Sequence, residues 1–170
     1  TVHALALEGR DDVSDSGEHP ADWRYRTEGP VKSTPLVVGG TLYIGSDLEG
    51  VFKSRNGGLR WREASRGLNS SEVLAIAADP HESGTLYVGT QRAGLFRTLD
   101  HGRSWRRADQ GIPSSKISAL AVDPQTPRTL YAGTGTSVFK SVDGARHWRP
   151  SASGLPTAEV LSLVIDPLQP

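Results

Sequence analysis

The sequence predicts an all-β chain assembled from four-stranded units, and three observations predict it. TLYIGS, TLYVGT and TLYAGT begin at Thr41, Thr85 and Thr129, 44 residues apart. A polar turn ending in tryptophan recurs in the same register, as SRNGGLRW at 54–61, TLDHGRSW at 98–105 and SVDGARHW at 141–148. An apolar run ending in Asp-Pro closes each unit, at Asp79-Pro80, Asp123-Pro124 and Asp166-Pro167. Nineteen glycines and eleven prolines, with few helix-forming runs, agree with a turn-rich β chain. Four short strands in about 44 residues is the size of one propeller blade.

Each unit divides into strands A to D. Strand A is the apolar run before Asp-Pro, VLAIAADP, ISALAVDP or VLSLVIDP. Its near-continuous hydrophobicity predicts an innermost strand buried on both faces. Proline stops it, having no N–H for the ladder and restricting the residue before it. Strand B is the TLY run, and strand C follows in GVFKS, GLFRT and SVFKS, with Phe52, Phe96 and Phe139 in register. Between C and D lies the tryptophan-ended turn. Its pattern is Ser/Thr-x-Asp/Asn-x-Gly-x-x-Trp, carried by Ser54, Asn56, Gly58 and Trp61, by Thr98, Asp100, Gly102 and Trp105, and by Ser141, Asp143 and Trp148. The Asp or Asn accepts backbone N–H bonds, the hydroxyl adds another, and Gly supplies a positive φ. The tryptophan begins the next strand and has a large apolar face to bury. Ala145 replaces the glycine of the third copy, which predicts a strained or altered turn there.

These turns resemble Asp-box (BNR) repeats, found in sialidases, sortilin-type receptors, xyloglucanase-like glycoside hydrolases and photosystem-assembly propellers. The resemblance implies that the box stabilises the fold on the outer rim, away from the ligand face, and that the compartment is extracellular or periplasmic. Residues 2–46, with TPLVVGGTLYIGS at 34–46, resemble a PQQ-type propeller repeat. Most members of that class bind no quinone, so no cofactor is implied. The chain divides into a PQQ-like partial blade at 1–40 and Asp-box repeats at 41–84, 85–128 and 129–170, about four blade equivalents in one domain. Residues 2–7 and 23–27 read as strands C and D, and residues 160–165 as a lone strand A. The ends could meet in a fourth blade lacking strand B, or the chain could be an arc of a larger ring. An arc leaves open faces that invite a second copy.

Lysine plus arginine and aspartate plus glutamate both number 19, with no block of like charge. That argues against nucleic-acid and polybasic membrane binding. No apolar run is long enough to span a bilayer. Absent cysteine excludes disulfides, thiolate metal sites and Cys nucleophiles. Absent methionine, including at position 1, suggests a processed or excised piece. Asp11, Asp12, Asp15 and Glu18 do not fit the EF-hand spacing. The five histidines show no metal-ligand spacing and no identifiable catalytic triad.

Propeller ligands sit where the B–C and D–A loops gather. Asp47, Glu49, Gln91 and Arg92 are the loop residues with useful chemistry, and solvated surface is the plainer reading of each. Asp47 and Glu49 offer two carboxylates for a glycosidase pair, but two residues apart on one loop they are poorly opposed. Arg92 has no partner set for a sialidase site. Tyr43, Tyr87 and Tyr131 recur in every unit and read as packing. Arg103, Arg106, Arg107, Arg146 and Arg149 read as solubilising groups on outer edges. The sequence therefore predicts no catalysis and no metal. It predicts a scaffold or binding module with a protein or glycan partner. The alternatives are a glycoside hydrolase fragment with its catalytic residues elsewhere, and an engineered or excised repeat piece that oligomerises.

Overall fold

A computed structural model describes residues 30–168, and these contain three antiparallel four-stranded sheets and no helix. The first sheet is β1 (Leu36–Val38), β2 (Thr41–Gly45), β3 (Val51–Ser54) and β4 (Arg62–Glu63). The second is β5 (Val73–Ala78), β6 (Leu86–Thr90), β7 (Leu95–Thr98) and β8 (Arg106–Arg107). The third is β9 (Ile117–Val122), β10 (Leu130–Thr134), β11 (Val138–Ser141) and β12 (Arg149–Pro150). Strands pair in chain order within each sheet, and the register repeats: Tyr43 faces Lys53, Tyr87 faces Arg97, and Tyr131 faces Lys140. The Gly39-Gly40 turn joins β1 and β2 with both φ angles positive, at 54° and 72°.

The apolar cores lie between sheets. Tyr43, Val51, Ala64, Val73, Leu86, Val88, Phe96 and Trp105 cluster between the first and second. Tyr87, Leu95, Ile112, Ile117, Leu130, Ala132, Phe139, Ala145 and Trp148 cluster between the second and third. Neighbouring sheets come closest along β1, β5 and β9, so the A strands converge and the D strands splay outward. This is the arrangement of blades about an axis.

The close approach explains a glycine in every strand B. A Cβ on Gly45 would run into the side chain of Val73, one on Gly89 into Ile117, and one on Gly133 into Val160. Val73 and Ile117 begin strand A of the following unit, and Val160 holds the matching place in the sequence.

Two expectations need correction. Strand A is not the most buried strand: β5 is mostly half-buried beyond Val73, whereas all five residues of β6 are buried. Strand B lies between A and C and is covered by neighbouring sheets, while A presents one side toward the open axis. Residues 160–165 form no strand. The Val160 N–H donates to the Thr134 carbonyl at 3.1 Å, but no strand B of a fourth unit stands beside them among the described residues. The expected strands at 2–7 and 23–27, and the acids at 11–18, lie outside the described residues.

Candidate functional site

The arc has two chemically different ends, set by which loops turn there. One end carries the A–B turns and the tryptophan-ended C–D turns. The His101 N–H donates to the Gly84 carbonyl at 3.0 Å, and the Gly144 N–H to the Arg128 carbonyl at 2.9 Å, tying the two turns of a unit together. The other end carries the B–C and D–A loops, where the Gln91 N–H donates to the Glu72 carbonyl at 3.0 Å.

The tryptophan-ended turns are built alike. Asp100 Oδ1 accepts from the Thr98 hydroxyl (2.6 Å) and from the N–H groups of Arg103 and Ser104 (both 2.9 Å). Its Oδ2 accepts from the Ser104 hydroxyl at 2.6 Å. Asp143 Oδ1 accepts from the Ser141 hydroxyl and the N–H groups of Arg146 and His147, and its Oδ2 meets His147 Nδ1 at 2.7 Å. Asn56 keeps the hydroxyl bond to Ser54 and the N–H bond from Arg60, both at 2.9 Å. Burial works to raise both carboxyls, but the hydrogen bonds outweigh it and hold Asp100 and Asp143 well below the usual carboxylate range.

Two consecutive residues in each turn take positive φ: Gly57 and Gly58, His101 and Gly102, Gly144 and Ala145. The third turn is therefore strained but not altered. Ala145 adopts φ 64° and donates its N–H to the Ser141 hydroxyl at 3.0 Å, as Gly58 and Gly102 do to theirs. Ala145 is buried in the core, where its methyl contributes packing against that strain.

Trp105 and Trp148 each fasten their unit to the preceding one. The indole N–H of Trp105 donates to the Ala64 carbonyl at 2.6 Å, and its backbone N–H to the Arg66 carbonyl at 2.9 Å. Trp148 does the same to Ala108 (2.8 Å) and Gln110 (2.8 Å). A cation returns the contact: Lys53 Nζ donates to the His101 carbonyl at 2.8 Å, and Arg97 to the Gly144 carbonyl at 2.6 Å. A shallow cleft of about 400 Å³ runs beside the first joint, past Lys53, Glu63, Arg66 and Arg103.

The other end carries the four sequence-predicted site residues on two loops. Asp47 forms an ion pair with Lys32 at 2.7 Å. Glu49 sits on the same loop, its backbone carbonyl accepting from the Ser65 hydroxyl at 3.3 Å. Gln91 and Arg92 adjoin the D–A loop through Glu72, whose carboxylate binds Arg92 Nε at 3.0 Å. Lys116 and Glu159 pair at 2.6 Å beside the third unit. The four residues thus share an end, and two of them are drawn to separate charged neighbours. Beneath these loops Thr90 is buried and ties residues 90–94, its hydroxyl donating to the Gly94 carbonyl at 2.8 Å. Among the described residues no group of three metal-ligating side chains forms.

Sequence reasoning missed one turn fastener. Asp79 Oδ1 accepts from the N–H groups of His81 (2.8 Å) and Glu82 (3.1 Å), and Asp123 Oδ1 from those of Gln125 (2.8 Å) and Thr126 (3.0 Å). Asp79 and Asp123 therefore shape the A–B turns that their prolines only start. The recurrence of Asp-Pro at all three positions was the available signal.

No family pattern matches the chain, and no curated protein matches it. Solved structures do. The chain is similar to an ancestral GH74 enzyme at 23% identity and TM-score 0.66, over 85% of this chain and 22% of that one. It is similar to the extracellular domain of a putative one component system from B. thetaiotaomicron at 19% identity and TM-score 0.59, over 78% and 18%. It is also similar to the computationally designed Ika4 protein at 10% identity and TM-score 0.60, over 83% and 82%. The chain spans about a fifth of the length of the first two, which are β-propeller-type proteins. The likeness is one of fold: this chain is all-β, with three four-stranded propeller-type blades across the described residues.

Proposed function

We propose that the chain is an Asp-box (BNR) propeller arc, preceded by a PQQ-like repeat, that serves as a non-catalytic scaffold. Its B–C and D–A loop end, with Asp47, Glu49, Gln91 and Arg92, is the face offered to a protein or glycan. The observation that carries this reading is the division of labour between ends. The tryptophan-ended turns spend their polar groups on each other and on the joints. The loop end carries charged groups of both signs at its surface, with the Arg92 side chain 79% exposed. Such a surface suits polar ligands held by hydrogen bonds and planar guanidinium contacts. A glycan array and a protein pull-down, each run with the unaltered chain and with Arg92→Ala, test it. Binding that the substitution weakens several-fold is the expected result. Hydrolysis of any glycan by the chain alone overturns the scaffold reading.

A second reading is a segment of a glycoside hydrolase, favoured by the fold likeness to the ancestral GH74 enzyme. On that reading the catalytic residues lie elsewhere, so this chain alone hydrolyses no glycan and Asp47→Asn or Glu49→Gln has no rate to remove.

A further inference from the structure

The third sheet ends in half of a joint built like the two already formed, and among the described residues nothing fills it. In the first two joints the turn after strand D supplies two carbonyls and a glycine to the next tryptophan. A Cβ on Gly67 would strike the Trp105 carbonyl, and one on Gly111 the Trp148 carbonyl. The same turn is already folded in the third sheet. The Ser151 N–H donates to the Val138 carbonyl at 2.8 Å, as Ala64 and Ala108 donate to Val51 and Leu95. The Leu155 N–H donates to the Ala152 carbonyl at 3.0 Å, as Leu68 and Ile112 do in their units.

Its acceptors are vacant among the described residues. Ser151 and Ser153 stand where Ala64 and Arg66 stand, and their carbonyls take no hydrogen bond. Nothing lies within 4 Å of a Cβ on Gly154, whose φ is 83°. Lys140, the counterpart of Lys53 and Arg97, reaches no carbonyl and sits 5.2 Å from the Tyr131 ring centroid. Leu155 is 57% exposed where Ile112 is 9%. Val160 has already entered the position that Val73 and Ile117 hold, leaving Leu161 at 78% and Val164 at 90% exposure.

We infer that this edge is a docking site for one further unit of the same repeat: strands B and C, the tryptophan-ended turn and strand D. Residues 160–165 supply its strand A. The occupant's chemistry is fixed by the vacancies. It brings a B strand to pair antiparallel with 160–165, as in β-strand addition. It also brings an indole N–H and a backbone N–H for Ser151 and Ser153, and a turn carbonyl for Lys140.

The test extends the whole chain after Pro170 with a copy of its own residues 128–155. This places the added Thr129 six residues after Asp166, the spacing seen from Asp79 to Thr85 and from Asp123 to Thr129. Amide exchange at 160–165 is read by mass spectrometry, alongside Tm. The expected result is exchange slowed roughly tenfold or more on extension, with a higher Tm. Trp148→Ala within the added unit should abolish both gains, and Lys140→Ala should reduce the gain on extension, measured against the unextended Lys140→Ala chain. No slowing, or slowing that survives the added unit's Trp148→Ala, overturns the inference. So does slow exchange already present in the unextended chain and lost on removing residues 1–29, because the occupant would then be the chain's own N-terminal segment.

Discussion

The two ends of the arc are made by the same repeat and differ in what the repeat holds constant. At the end with the tryptophan-ended turns, three copies keep the same hydroxyl-to-carboxamide or hydroxyl-to-carboxylate bond and the same pair of positive φ angles. At the loop end each unit pairs charges differently: Lys32 with Asp47, Arg92 with Glu72, Lys116 with Glu159. In the first two pairs both partners belong to one unit, and in the third Glu159 comes from beyond the sheet. Buried, mutually satisfied groups cannot vary one at a time without leaving an orphan. Solvated charges can. The first end is therefore where stability resides, and the second is where substitution is free.

The largest expected break in that comparison is Trp105→Ala. It empties a buried site at the first joint and orphans the Ala64 carbonyl, and a loss of about 3–5 kcal/mol follows. Trp61→Ala removes the same side chain from the first turn. Trp61 is only half-buried, and its indole makes no hydrogen bond among the described residues. Its loss should be roughly half as large. Denaturant unfolding of both variants checks the ratio, and equal losses would mean that the joint contributes nothing beyond local packing.

Gly111→Ala against Gly154→Ala sharpens the same point with a single methyl. Both glycines have positive φ, at 101° and 83°, so both substitutions carry strain of about 1 kcal/mol. At Gly111 the methyl also meets the Trp148 backbone, adding about 1–3 kcal/mol of overpacking. At Gly154 it meets open space. The difference between the two variants, measured by urea midpoint, isolates the joint from the turn.

Much of this was legible in the residues, and the rest was hidden for identifiable reasons. The 44-residue period, the strand order and the turn chemistry of Asp100 and Asp143 follow from local patterns that need no partner. The joints do not. That Ala64 and Ala108 would receive an indole proton depends on a carbonyl, which every residue has, so no side chain announces it. Gly45, Gly89 and Gly133 did leave a signal, since a glycine kept inside a strand marks close approach. Strand A misled because apolarity was read as burial on both faces, whereas β5 is the edge strand of its sheet and stays half-buried beyond Val73. Asp47, Glu49, Gln91 and Arg92 could be placed on one end by topology alone. Their ion-pair partners, Lys32 and Glu72, come from loops whose approach only the fold reveals.

Acid separates the turns from one another. Asp100 and Asp143 are held below the ordinary carboxylate value by hydrogen bonds that exist only in the folded chain. A depressed folded value means that the stabilisation is fully present above the unfolded value, near 4. It is lost as pH falls below that value through the folded one. The first turn has Asn56 and contributes no such dependence. Asp100→Asn should therefore lower Tm at pH 7 and flatten the fall in Tm between roughly pH 4 and 2. A variant whose Tm falls as steeply as the parent's would mean that Asp100 does not report the folded turn.

The smallest effect belongs to the loop end. The Asp47–Lys32 and Arg92–Glu72 pairs join partly exposed side chains, with Lys32 at 46% and Arg92 at 79%. Such pairs contribute about 0–1 kcal/mol, since water solvates the separated charges nearly as well. Asp47→Asn and Arg92→Ala should each stay within about 0.5 kcal/mol of the parent, and the double variant should equal their sum, because the pairs share no partner. The physical reason is the same one that leaves these residues available to a ligand: a charge held firmly by its own fold has little left to offer another molecule. A loss above 2 kcal/mol from either single variant would move that residue from the presented face into the framework. The contrast between the two ends would then fail at its quieter side, even if every tryptophan behaved as expected.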